Sequence, residues 1–149
     1  MTQIQINWNH WKPIFDEAKE KGFESVFKGR VYVAGPLTTG TNENITEIKK
    51  NIKRAVETGN KIINLGYTVF VPHLLYPLNE RIERSYEYWM MTCLDWLKIC
   101  DFLFRIPGES LGADLEVEFA LRLGMPVLHD LKNFEETKNW LFRNKKGKE

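Results

Sequence analysis

The chain has 149 residues, 43% of them apolar and 28% charged, with a formal net charge of +1. These values fit one globular domain with its own core and exclude a disordered chain. Balanced charge removes any general attraction to a nucleic-acid polymer, and no apolar run reaches the length of a membrane span.

Residues 1–29 precede the first strand pattern. Within them Trp8, Trp11, Ile14, Phe15 and Ala18 recur at helical spacing, with Pro13 tolerable in a first turn. This predicts an N-terminal helix that ends at Lys19-Glu-Lys-Gly22 and covers part of a sheet. Arg30-Val-Tyr-Val-Ala-Gly35 is a continuous apolar run closed by glycine, the pattern of a buried parallel strand. The loop Pro36-Leu-Thr-Thr-Gly-Thr-Asn-Glu-Asn44 follows, rich in small and hydroxylated residues that can turn backbone N–H groups toward an anion. It is neither a P-loop nor a GxGxxG fingerprint.

Residues 44–65 form a long amphipathic pattern, with Ile45, Ile48, Ile52, Val56, Ile62 and Ile63 as its apolar stripe and Gly66 as its stop. Tyr67-Thr-Val-Phe-Val71 is a second strand, and Pro72-His-Leu-Leu-Tyr-Pro77 a second loop. His73 in that loop is either a ligand contact or a structural histidine. A third helix spans 85–100, with Tyr86, Trp89, Met90, Cys93, Leu94, Leu97 and Cys100 on its apolar side and Asp95 embedded in it. A third strand covers 101–106. Ser110-Leu-Gly-Ala-Asp-Leu-Glu-Val-Glu-Phe-Ala120 then launches a helix closed by Gly124. Pro126-Val-Leu-His129 is a fourth strand, residues 134–142 a closing helix, and 143–149 a basic, solvated tail.

One helix followed by repeated strand–helix units predicts an α/β fold with helices on both faces of a parallel sheet. The default arrangement is flavodoxin-like or Rossmann-like, four to five strands in the order 2-1-3-4. Loops after the first three strands then open on one crevice, where such sheets bind ligands. Glu116 lies one turn into the helix behind the third loop, and Tyr32 near the end of the first strand. Two carboxylates, Glu116 and Asp95, are candidates for dividing the nucleophile and acid roles of glycosyl-bond chemistry. Cys93 and Cys100 are too far apart to bridge, no CxxC pair exists, and the three histidines are scattered, so no metal site is expected. The N-terminal sequence is not that of a signal peptide, which gives the cytoplasm as the expected location.

Val31-Tyr-Val-Ala-Gly-Pro36, Asp95 followed six residues later by Asp101, and Ser110-x-Gly112-x-x-x-Glu116-x-x-x-Ala120 with Gly124-x-Pro126-Val together resemble the nucleoside 2-deoxyribosyltransferase superfamily. That superfamily includes 2′-deoxynucleoside 5′-monophosphate N-glycosidases. The resemblance covers residues 30–131, leaving 1–29 as a helical extension and 132–149 as a C-terminal helix and tail of one domain. It implies that Glu116 is the nucleophile, that Tyr32 orients it, and that Asp95 does acid/base work. Gly35, Pro36, Thr38, Thr39, His73, Ser110 and Gly112, in the loops around the crevice, are the candidate substrate contacts. Ser110 stands where the transferases often carry an aspartate and the nucleotide N-glycosidases a serine. The first loop lacks the arginine of the nucleotide hydrolases, so Thr38, Thr39 and Gly40, with Arg105 or a neighbouring subunit, would have to meet a phosphate. The resemblance implies no cofactor, a small-molecule nucleoside or nucleotide substrate, and a homodimer or larger homo-oligomer. Two other readings stay open. One is a non-catalytic nucleotide-binding or sensing module on the same fold. The other is a glycohydrolase of NAD-like dinucleotides, with Trp89 and Trp96 as candidate stacking surfaces.

Overall fold

The computed structural model describes residues 7–20 and 28–135. Helix α1 spans Trp8–Glu20, strand β1 Arg30–Ala34, helix α2 Ile45–Asn64 and strand β2 Thr68–Phe70. A 3-10 turn at Pro72–Leu75 leads into helix α3, Tyr76–Arg81, and helix α4, Tyr86–Leu97. Strand β3 (Phe102–Arg105), helix α5 (Leu111–Arg122) and strand β4 (Val127–Leu128) complete the described elements, with a last 3-10 turn at Leu131–Asn133. The closing helix expected over 134–142 lies, beyond residue 135, outside the described residues. No described helix is long and apolar enough to cross a membrane.

The four strands form one parallel sheet in the order β2-β1-β3-β4, as the strand–helix alternation predicts. Tyr32 pairs with Phe70 on one side and Leu103 on the other, so β1 runs through the centre of the sheet. Side chains alternate across a strand. Val31 and Val33 therefore face the core built with Ala55 and Ile62 of α2, Phe102 and Phe104. Tyr32 and Ala34 face the opposite core, with Leu97 of α4 and Ala113 and Ala120 of α5. That alternation aims Tyr32 at the helix that carries Glu116.

The helix boundaries follow local chemistry. Asn44 caps α2 by accepting from the Glu47 N–H, and Ser85 caps α4 by accepting from the Tyr88 N–H. Helix α5 ends in a Schellman motif. Gly124 takes φ 72°, its N–H reaches the Leu121 carbonyl, and the Met125 N–H reaches the Ala120 carbonyl. Asp101 accepts from the Arg30 N–H at 2.7 Å, which ties the start of β1 to the start of β3.

Two expectations are corrected. Residues 72–77 are not an open loop: they are the 3-10 turn and the first residues of α3, with Pro77 in the first turn where its missing N–H costs nothing. Helix α1 forms but does not cover the sheet. Trp8 is 58% exposed, and Trp11, Ile14 and Phe15 are exposed with it. Its aromatic side chains contact one another, Trp8 stacking on Phe15 at 5.8 Å.

Candidate active site

The loops beyond the C-terminal ends of β1, β2 and β3 enclose a cleft of about 580 Å³. Its floor is Glu116. Ser110 starts the helix that carries it, its Oγ accepting from the Ala113 N–H at 3.1 Å. Glu116 follows on the same buried face as Ala113 and Ala120, the i, i+3, i+7 side of the helix. The Tyr32 hydroxyl donates to Glu116 Oε2 from across the sheet surface. Tyr32 is fully buried and Glu116 only 6% exposed.

Burial dominates the electrostatics. It pushes the Glu116 carboxyl from its ordinary value up to about 7, against the Tyr32 hydrogen bond and the Arg105 charge, which both favour the carboxylate. Burial, then the neighbouring carboxylate, pushes the Tyr32 phenol well above its ordinary range, so it remains a donor. Near neutrality the cleft thus holds a carboxylate that exchanges its proton beside a phenol that does not.

Cys93 of α4 lies beside this pair and lines the cleft. Burial raises its thiol to about 11, so it stays protonated. Tyr86, Trp89 and Met90 extend the same wall, and the Trp89 indole N–H donates to Asn79 Oδ1 at 2.7 Å. Gly112 lets the α5 start approach that wall closely: a Cβ there would lie 3.2 Å from the Tyr86 hydroxyl and 3.4 Å from Met90 Sδ.

The structure brings most of the expected contacts together. Gly35, Thr38, Thr39, His73, Ser110 and Gly112 line the cleft with Glu116. Pro36 is behind the lining, its carbonyl accepting from His73 Nε2 at 3.0 Å. That bond leaves the buried Nδ1 of His73 without a hydrogen-bond partner. The first loop is pinned by Thr41, whose hydroxyl donates to the Thr38 carbonyl, and by Asn51, which donates to the Leu37 carbonyl. Asn42 and Glu43, both lining the cleft, hold left-handed φ values of 49° and 59°.

Asp95 is a correction. Its side chain is 72% exposed, pairs with Lys98 at 2.6 Å and does not line the cleft. The reason is helical geometry: Cys93 faces inward, and two residues further on is about 200° around the helix. Arg105 is a second correction. Its guanidinium is committed to the Ile106 and Gly108 carbonyls and to Asp114 at 2.9 Å, and it does not line the cleft. Trp96 stacks on Phe70 with ring centroids 5.0 Å apart, away from the lining. Several lining residues were not among the sequence candidates, Cys93 and Arg84 among them. Cys93 was legible as a member of the apolar stripe of α4. Arg84 was not, because it lies between two helices in a stretch without periodicity. Among the described residues, no group of three His, Cys, Asp or Glu side chains is placed to hold a metal ion.

A family model described as a domain of unknown function, DUF7768, matches residues 29–130, which contain all four strands and every residue lining the cleft. The chain belongs to the DUF7768 family. Among solved structures, a 2-deoxyribosyltransferase from the psychrotolerant bacterium Bacillus psychrosaccharolyticus is similar to this DUF7768 chain at 24% identity, over 66% of this chain and 69% of that one, with a TM-score of 0.44. No curated protein matches the chain.

Proposed function

We propose that this protein cleaves or transfers the N-glycosidic bond of a 2′-deoxynucleoside or its 5′-monophosphate, with Glu116 as nucleophile. The observation that carries this reading is the buried Tyr32–Glu116 pair at the floor of a cleft of nucleoside size. It agrees with the motif resemblance, which assigns the same two residues the same roles.

In this mechanism the ionised Glu116 approaches C1′ of the sugar. The C1′–N bond breaks through an oxocarbenium-like state, and its electron pair leaves with the base. The carboxylate stabilises the positive charge and bonds to C1′ as a glycosyl-enzyme. Tyr32 holds the carboxylate in place and keeps one of its oxygens occupied, leaving the other for the sugar. The departing base takes up a proton from the water-accessible cleft. Water, or a second base, then attacks C1′ and releases Glu116. Asp95 has no part in this scheme, since its carboxylate is in solvent. The reading extends to a cytoplasmic homo-oligomer, which sedimentation would check.

Incubation with deoxynucleosides, deoxynucleotides and NAD, followed by detection of free base, tests the reading. Base release from a deoxynucleoside or deoxynucleotide is the expected result, lost in Glu116→Gln. Binding without release from any of them favours the non-catalytic module, and release of nicotinamide alone favours the dinucleotide glycohydrolase.

A further inference from the structure

Among the described residues, Arg84 is the sole Lys or Arg lining the cleft. Its position is built rather than casual. Its backbone N–H donates to Asn79 Oδ1 at 2.9 Å, the same oxygen that accepts from the Trp89 indole. Its guanidinium lies 5.6 Å from the Tyr88 ring centroid and 5.7 Å from that of Trp89, and Nη1 donates to the Ile82 carbonyl at 3.3 Å. Aromatic faces hold the charge without neutralising it. Among the described residues no carboxylate lies within ion-pair distance of Arg84. Most of its five donors therefore remain free, in the planar fork that suits two oxygens of a phosphate.

His73, by contrast, is 2% exposed and its Nε2 is occupied by the Pro36 carbonyl, so its ring supports the first loop and offers no charge to a ligand. The first loop contributes Glu43 to the lining, a residue whose negative charge disfavours an anion on that side. The preferred ligand thus carries an anionic group for Arg84.

We infer that Arg84 is the anion anchor of the cleft, and that the substrate is a nucleoside monophosphate rather than a free nucleoside. This rests on the N-glycoside reading for the sugar and base, but the anchor itself can be tested without turnover.

The experiment is calorimetric titration of the wild-type protein, Arg84→Met and Arg84→Lys with a deoxynucleoside 5′-monophosphate, the matching deoxynucleoside and inorganic phosphate. Met keeps an apolar stem against Trp89; Lys keeps the charge and loses the fork. Circular dichroism establishes that each variant is folded, and either folded variant suffices. The expected result is tighter wild-type binding of the nucleotide than of the nucleoside. Arg84→Met should weaken the nucleotide by roughly ten- to hundredfold and leave the nucleoside within about twofold, with Arg84→Lys in between. Equal weakening of both ligands, or of neither, overturns the anchor, as does wild-type preference for the nucleoside. Inorganic phosphate bound as tightly as the nucleotide overturns the substrate assignment. Nucleotide binding that depends on Arg84, with no base released at any pH, keeps the anchor and sinks the N-glycoside reading instead.

Discussion

The Tyr32 hydroxyl donates its hydrogen bond to the Glu116 carboxylate, linking a central strand of the sheet to the helix packed on its face. Neither group is exposed enough to be solvated, so burial first and the partner second set the ionisation of each. Replacing Tyr32 by Phe keeps the ring in its pocket and removes only this bond. Since the bond favours the carboxylate, its loss raises the Glu116 pKa further, and the acidic limb of kcat/KM moves to higher pH. A hydrogen bond to a charged group is worth roughly 1.5–3 kcal/mol, so Tyr32→Phe should lose about tenfold or more at pH 7 and recover at alkaline pH. A flat loss at every pH would contradict this account.

Glu116→Gln should abolish base release by roughly a thousandfold or more while the fold persists. Stability supplies a second readout. Burial raises the folded-state pKa from 4.5 to about 7, so the folded protein holds this proton more tightly than the unfolded chain. The stabilising contribution is complete below about pH 4.5 and is lost as pH rises through about 7. The integrated loss is on the order of 3 kcal/mol. Urea midpoints at pH 5.5 and pH 8 should therefore converge in Glu116→Gln relative to wild type. An identical pH slope in the two proteins would show that Glu116 is not the group responsible.

Asp95→Asn should leave kcat/KM within about twofold of wild type, because the carboxylate is paired with Lys98 at the surface and exposed pairs contribute little. A loss of a hundredfold would restore Asp95 to the chemistry.

Ser110→Asp retains a good N-cap, so α5 should fold normally. It adds a negative charge to the cleft wall. At an effective dielectric of about 20, a like charge at ~4 Å costs on the order of 4 kcal/mol before screening. The ratio of kcat/KM for deoxynucleotide over deoxynucleoside should fall sharply, and an unchanged ratio would place the phosphate elsewhere.

The sheet order was legible because the strand runs are continuous and apolar and the intervening helices are long. Tyr32 and Glu116 were placed beside one crevice by position, at the end of β1 and one turn into the helix behind the third loop, and only the resemblance paired them. Asp95 was misread by counting motif spacing instead of angle. Its own helix carries Trp89, Met90, Cys93 and Leu97 on the inward stripe, and that stripe already turns residue 95 outward. The stripe of Trp8, Trp11, Ile14 and Phe15 reported a helix correctly, yet periodicity says nothing of whether a surface exists to receive it. Arg84 belongs to neither periodicity, and only the fold of α3 back toward α4 brings it to the cleft.

The bond between Trp89 and Asn79 has a practical consequence. Its indole forms part of the cleft wall and shares an acceptor with the backbone of Arg84, so an incoming ligand changes its surroundings directly. Of the other described tryptophans, Trp8, Trp11 and Trp96 are about half exposed and outside the cleft, so a ligand there does not touch them. The protein thereby carries a fluorophore at the mouth of its own site, and a shift in its spectrum counts filled sites without a label.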